Sequence, residues 1–326
     1  MGKKPLKTTL ALFTLGVIAL LLTFNINNTT TVSEDTVTLP TPFPIGVDPV
    51  NKTITENPSI KEFTTTYLTT NKSKYQISRW LRHADQLLSQ IDQYQQLASP
   101  SSRVIVILPG ERKEQVVNNI KQILNWSSSE SEMFSSLVTE SLPQLDEGKF
   151  FPDRYVVNRN TSPEEMAQKI LEKFNNEILL RYTEEVASKV PLKDTLTIAS
   201  LLQREAYDFE DMRIISGIIW NRKFIDMNLQ IDATLQYARG SLAHEPWWPR
   251  VVPADKFINS PYNTYQNKGL PPAPIANSSM EAIVAALNPK PTDCIFYFHD
   301  ARGNFYCTQT YEEHTRLLRV HYGERN

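Results

Sequence analysis

Apolar residues recur at helical spacing through much of this chain, and the sharpest pattern lies between Thr195 and Phe224. There Ile198, Leu201 and Leu202 share one face of a predicted helix, and Glu205 falls within the same stripe, while Gln203 and Arg204 point elsewhere. A second helical run, Met212 to Phe224, carries Ile214, Ile215, Ile218 and Ile219 and ends in Asn221-Arg222. Similar spacing predicts helices over Tyr75–Leu97 and around Val116, Val117, Ile120, Ile123 and Leu124, with a more polar one over Ser127–Ser136. Ser162, Pro163 and Glu165 form a helix start with cap, first-turn proline and capping-box glutamate, for a helix reaching about Tyr182. Ser278–Glu281 starts another, stopped by Asn288-Pro289, and Tyr311–Tyr322 should close the chain. Strand signals are fewer: Val104–Leu108, ended by Pro109-Gly110-Glu111, and a hairpin of Ile295–His299 with Phe305–Thr308 around residues 301–304.

The N-terminal pattern is different. Lys3, Lys4 and Lys7 precede a run without charge from Thr8 to Ser33, strongly apolar from Leu10 to Phe24. At about 1.5 Å per residue this run just spans a ~30 Å hydrocarbon core. Flanking lysines predict an N-in orientation, which would put the rest of the chain outside the plasma membrane as a single-pass protein. The alternative is a cleaved signal peptide, but no A-x-A-like site follows the apolar run. Residues 27–58, rich in Thr, Asn, Ser and Pro, read as an extended linker.

Composition narrows the chemistry. The 326 residues allow two modest cores, and a net charge of −2 does not suggest a nucleic-acid partner. Glycine is scarce at 10 residues, and no GxSxG, HExxH or paired CxxC occurs, so neither a metal nor a cofactor is expected. His314 and His321, seven residues apart, fit one helix face better than a metal pair. The two cysteines, Cys294 and Cys307, flank the predicted hairpin and could pair in an oxidising compartment, although the simplest register sets Cys307 nearer Phe296 than Cys294. Glu205 is the candidate of interest. A carboxylate on the buried side of a helix is costly when charged, so its pKa should rise, as a general acid near neutral pH requires. The competing reading is a structural ion pair, with Arg222 as the partner.

Several blocks decide between these readings together: IASLLQRE (198–205), LQIDATLQY (229–237), YNTY (262–265), GLPPAPIANSS (269–279) and EEH (312–314). In this order and spacing, from about Leu196 to His314, they resemble the YceG-like endolytic murein transglycosylases, the MltG family. EGKFFPDRYVV (147–157) is similar to a further block of that family. The chain departs from the pattern where Ala233 replaces a proline, Ala273 a glycine, and Phe305 the histidine that often follows the hairpin turn.

The resemblance implies an α+β protein with an N-terminal transmembrane helix (1–26), a linker (27–58), a small LysM-like α/β region (59–157) and a mixed α+β catalytic domain (158–326). It implies endolytic cleavage of nascent glycan strands between N-acetylmuramic acid and N-acetylglucosamine, leaving 1,6-anhydro ends and terminating strand elongation. Glu205 would be the catalytic acid and then the base. Asn263, Tyr262, Tyr265, Asp232, Thr234 and Gln230 are the expected substrate-binding residues. From its residue type alone Asp232 fits an Asx-turn or helix cap equally well, and the Tyr262–Tyr265 block fits an asparagine-stabilised turn. Trp247 and Trp248, between prolines after His244, suit either sugar stacking or packing of their loop. Glycan strands and the membrane are the implied partners, with peptidoglycan synthases as further candidates. Two other functions remain: a hydrolytic muramidase with Asp232 as second carboxylate, and a non-catalytic glycan-binding or division scaffold.

Overall fold

A computed structural model of the chain describes residues 40–67, 101–240 and 246–323. The expected anchor (1–26), the start of the expected linker, the expected helix over 75–97 and His244 lie outside these residues. Within them no helix is long and apolar enough to cross a membrane. Helices and two-stranded antiparallel sheets alternate, the mixed α+β architecture expected.

The centre is a helical layer. α5 (Leu192–Glu205) buries every residue from Thr195 to Leu202 and packs against α6 (Phe209–Phe224) and α8 (Met280–Leu287). Each of Ile198, Leu201 and Leu202 is fully buried, worth about 1.5–3 kcal/mol apiece relative to exposure. α6 is buried nearly all round, including Arg213, Ser216 and Arg222, so its isoleucines do not define a single wet and dry side. Two of its polar groups are matched on the α8 side: Arg213 Nε donates to the Asn288 carbonyl at 3.1 Å and Trp220 Nε1 to the Ala286 carbonyl at 3.0 Å.

Residues 43–57 are not an extended linker. β1 (Val47–Asp48) and β2 (Thr53–Ile54) form a short hairpin, and Phe43 and Val47 enter the central core. The Phe43 N–H donates to the Arg181 carbonyl, the Gly46 N–H to the Leu287 carbonyl, and Asn288 Nδ2 to the Pro44 carbonyl. The prolines stiffen a strap whose alternate apolar residues are its anchors. A helical segment over residues 59–67 adds Ile60, Phe63 and Tyr67 to the same core.

A smaller layer follows. β3 (Ser102–Val106) pairs with β4 (Arg154–Asn158), with α1 (Lys113–Leu124) and α2 (Ser128–Ser141) between them. α3 (Pro163–Glu177) completes this layer's core, where Met166, Ala167 and Ile170 meet Ile105, Val116, Phe134 and Val157. The boundary expected at residue 157 would therefore cut a core in two, since β4 pairs with β3 and α3 packs into the same core. α2 is longer than expected because Phe134 and Val138 anchor it beyond Ser136. α3 ends earlier, at Glu177, and tightens into a 3-10 turn over Leu179–Arg181 before α4 (Glu184–Lys189).

One irregular buried segment joins the layers. The Ile275 N–H donates to Ser200 Oγ (3.0 Å) and the Ser279 N–H to Gln203 Oε1 (3.0 Å), both on α5. Between them, the Asn277 backbone exchanges hydrogen bonds with Gly110 and Glu111. The Asn277 side chain accepts from the Phe150 N–H (3.0 Å) and donates to the Glu111 carbonyl (2.9 Å). Nearby, fully buried Glu147 accepts from the backbone of Lys113 and Gly148, and burial pushes its carboxyl up to about 8.

The chain ends in the hairpin β5 (Phe296–His299)–β6 (Phe305–Thr308) and α9 (Tyr311–Tyr322). Phe296 faces Thr308 and Tyr297 faces Cys307, one position from the expected register. Cys294 lies before the strand and forms a disulfide with Cys307, Cα to Cα 5.7 Å. His314 packs on Phe296 at 5.5 Å and His321 on Tyr306 at 4.3 Å, as one helix face against the hairpin.

Asn277→Ala strands the buried Phe150 N–H without an acceptor, which costs about 1–3 kcal/mol. Urea denaturation should record that loss, while Asn277→Asp, which keeps the acceptor, should recover part of it.

Candidate active site

Glu205 is the last residue of α5, where the apolar stripe leaves the core, and its side chain is part-buried. The preceding turns fix its direction because Ile198, Leu201 and Leu202 cannot rotate out of the interior. Its carboxyl meets two donors. Tyr297 donates its hydroxyl to Oε2 at 3.1 Å, and the Ala233 N–H points to Oε1 at 3.4 Å. Burial lifts the Glu205 pKa most, and the Asp232 carboxylate lifts it further. The Tyr297 hydroxyl, the Ala233 N–H and the His299 ring oppose the rise. Ending a helix acts in the same sense as burial, because the carbonyl end of the macrodipole disfavours an anion.

Arg222 does not pair with Glu205. Its guanidinium donates to the Ile295 carbonyl (2.7 Å) and to the Leu229 carbonyl, tying β5 and the approach to α7 (Asp232–Gly240) onto α6. Asp232 opens α7 with its side chain exposed and accepts from the Tyr265 hydroxyl at 2.6 Å. Burial, then Asp232, keep the Tyr265 phenol protonated well above its ordinary range. Glu205, Asp232 and Tyr265 therefore gather at one place, with an acid, a carboxylate and a hydroxyl in mutual electrostatic reach.

Two expected ligands lie beneath that surface instead. Asn263 is fully buried; its Nδ2 donates to the Lys256 and Ile258 carbonyls and its Oδ1 accepts from the Tyr265 N–H. Thr234 is equally buried, its hydroxyl spent on the Ile231 carbonyl and on Thr264. The expectation that they touch sugar directly is corrected. Backbone turns at 256–265 need internal partners, and these short polar side chains supply them. Gln230 is exposed at a left-handed backbone position (φ 51°), its N–H on the Thr264 carbonyl. Tyr262 is half-buried, packed 4.6 Å from the Tyr237 ring. The two tryptophans divide the options left open: Trp248 packs under the Arg204 guanidinium (3.9 Å) and donates to Gln115 (3.2 Å), while Trp247 keeps 38% of its surface exposed.

Sequence reasoning missed Tyr297 and His299. They stand two residues apart, hence on one face of β5, and a period-two reading of the hairpin contained that signal. What it lacked was which face meets Glu205. His299 is held by Asp211 of α6 at 2.8 Å and lies edge-on to Tyr207 at 4.6 Å. Among the described residues no cluster of His, Cys, Asp and Glu is placed to hold a metal ion.

Asn263→Ala removes three internal hydrogen bonds, and at about 1 kcal/mol net for each the variant should lose stability measurably in urea. A residue that only touched substrate would instead weaken glycan binding and leave the unfolding midpoint where it was.

The family model described as YceG-like matches residues 49–319. An endolytic murein transglycosylase of Bacillus subtilis (strain 168) is 35% identical over 181 residues, 55% of this chain and 49% of the relative. One of Streptococcus pneumoniae (strain ATCC BAA-255 / R6) is 32% identical over 190 residues, 56% of this chain and 34% of the relative. This chain thus matches between about a third and a half of the length of those relatives. The crystal structure of a yceG-like protein from Listeria monocytogenes superposes with a TM-score of 0.58 at 27% identity, covering 66% of this chain and 75% of that one. With the family match extending over most of its length, and with Glu205, Asp232 and Tyr265 gathered at the end of α5, the chain belongs to the YceG-like family.

Proposed function

We propose that this chain is an endolytic lytic transglycosylase of peptidoglycan, with Glu205 as its one acid–base group. The observation that carries the reading is the placement of a part-buried carboxyl at the end of a rigid buried helix, bonded by the Tyr297 hydroxyl and set beside Asp232, surroundings that raise its pKa. The names of the curated relatives support the substrate class. Protonated Glu205 gives its proton to the oxygen leaving C1 of N-acetylmuramic acid. As carboxylate it then accepts the proton of that sugar's 6-hydroxyl, whose oxygen bonds to C1 and closes the 1,6-anhydro ring. The glycosidic C–O bond breaks, one proton passes through Glu205 in each direction, and no water is consumed. An internal nucleophile removes the need for the second carboxylate that hydrolytic glycosidases use. Asp232 then acts electrostatically, holding the Glu205 proton on until substrate arrives, with Tyr265 fixing its position.

Asp232 also supports a second reading, hydrolysis by a muramidase, since its exposed carboxylate stands beside the acid. The two separate cleanly in Asp232→Asn. Under the first, anhydro ends persist and the fall in activity at rising pH moves to lower pH, because a negative charge that raised the Glu205 pKa is gone. Under the second, product is lost and wild-type ends are reducing sugars.

The site acts within a chain we read as anchored by residues 10–24, with the strand–helix–helix–strand layer of β3, α1, α2 and β4 as its LysM-like unit and strand termination as its role. Full-length protein should sediment with membranes, and protease should reach Thr41–Asn326 only from the outer side; a mature N-terminus near Asn25 would refute the anchor.

Glu205→Gln keeps shape and polarity but cannot move a proton. General acid–base catalysis is worth about 10²–10⁴-fold, and one group serving both steps puts the loss at or above the top of that range. Mass spectrometry of glycan digests should show 1,6-anhydro ends vanish while folding is kept or slightly improved, since a buried charge is removed. In the wild type, activity should fall as pH rises through the elevated Glu205 pKa, because the entry state of each turnover is the acid.

A further inference from the structure

We propose that Tyr297 is the positioning residue for Glu205, and that the Cys294–Cys307 disulfide holds Tyr297 in place. This rests on the reading of Glu205 as the acid–base group. The Tyr297 hydroxyl donates to Oε2 at 3.1 Å, shorter than the 3.4 Å contact from Ala233 to Oε1. With Oε2 engaged by the better donor, Oε1 is the oxygen left to carry and return the proton. A phenol hydroxyl bonds a carboxylate more strongly than a carboxylic acid. The contact therefore tightens as Glu205 gives up its proton, which is stabilisation realised in the transition state rather than in the resting enzyme. Tyr297 keeps its own proton throughout: burial and the adjoining Glu205 charge push its phenol far above its usual range.

The strand is held from three sides. In the ladder Tyr297 stands directly across from Cys307, and Cys307 is bonded to Cys294, three residues ahead of Tyr297. From α6, Asn221 donates to the Thr292 and Cys294 carbonyls and Arg222 to the Ile295 carbonyl. The Tyr297 ring stacks with Phe305 at 6.1 Å. The disulfide thus closes a small covalent ring around the segment that aims the hydroxyl. Such a link stabilises chiefly by limiting what the open chain can do; here it limits where a single hydroxyl can go. The other charged or titratable groups about Glu205 are Asp232 of α7, Tyr265 of the 262–265 turn, His299 of β5 with its partner Asp211, Arg222 of α6 and Arg204 beside it on α5.

The test uses full-length protein in detergent on purified glycan strands, with kcat, KM, pH profile and melting temperature read for Tyr297→Phe and for Cys294→Ser/Cys307→Ser. Tyr297→Phe should lower kcat about tenfold with KM within about twofold, and move the alkaline limb up by about one pH unit, the scale of one charge-assisted hydrogen bond. The double serine variant, and wild type treated with reductant, should shift the same limb in the same direction, and reoxidation should restore the wild type. An unmoved limb in Tyr297→Phe, with or without a loss of melting temperature, overturns the positioning role. A wild-type profile in the double serine variant overturns the role of the disulfide. Absence of anhydro products from the wild type would instead refute the proposed reaction. In that event a ¹³C NMR titration of the Glu205 carboxyl still decides the contact, since its pKa must rise in Tyr297→Phe.

Discussion

The structure depends on satisfying a buried stretch of irregular backbone. Residues 270–279, buried without a break from Ala273 onward, run between α5 and the smaller layer with neither helix nor ladder to pair their polar groups. Interior amides left open cost about as much as a lost hydrogen bond each. Pro271, Pro272 and Pro274 have no N–H to satisfy, and the residues that do are met at alternate positions: Ile275 by Ser200, Asn277 by Glu111, Ser279 by Gln203. This segment clamps α5 from one side while α6 and the apolar core clamp it from the others. Glu205, two positions past the clamped Gln203, inherits that rigidity without being enclosed by it.

Around the carboxyl, opposing influences are supplied by different parts of the chain. Burial at the end of α5 and the charge of Asp232 favour the acid; Tyr297 from the hairpin and Ala233 at the start of α7 favour the carboxylate. In the acid–base role proposed for Glu205, the net rise favours the acid at rest while the Tyr297 and Ala233 donors ease the loss of its proton. Two elements far apart in sequence carry these groups, each anchored to α6: the hairpin through Asn221, Arg222 and the His299–Asp211 contact, and the approach to α7 through Arg222. That explains why α6 is buried on nearly every side and why its polar residues are inside. Its Gly217 has the same cause: a Cβ there would lie 2.4 Å from the Lys290 carbonyl oxygen, blocking the close pass of the chain leading to β5.

The family block around Tyr262–Tyr265 has a different task from the one its residue types suggest. Asn263 and Thr264 are interior, and of the four residues only Tyr265 reaches the cluster, through Asp232. Asparagine is suited to this because it offers donors and an acceptor at short reach, and the turn uses both. In the reaction proposed above the block would act through position: Asn263 holds the Tyr265 backbone, Tyr265 bonds Asp232, and the Asp232 charge raises the Glu205 pKa.

The sequence by itself determined the local elements and the place of Glu205 on its helix. The stripe of Ile198, Leu201 and Leu202 implied α5 and put Glu205 on its inner face, because helical periodicity is a property of the segment alone. The capping box at Ser162, the hairpin around residue 302 and the closing helix are local in the same sense, and the structure has each of them. Tertiary structure decided what depends on distant partners. Residues 43–57 read as a linker by composition, yet core hollows beside Leu287 and Asn288 give Phe43 and Val47 somewhere to go. The layer boundary fell after α3 because β4 pairs with a strand about fifty residues earlier. Asn263 and Thr234 went inside, Arg222 turned to carbonyls, and Tyr297 met Glu205 across 92 residues of chain. No local pattern encodes such meetings; they follow from which faces remain to be covered once the helices have packed.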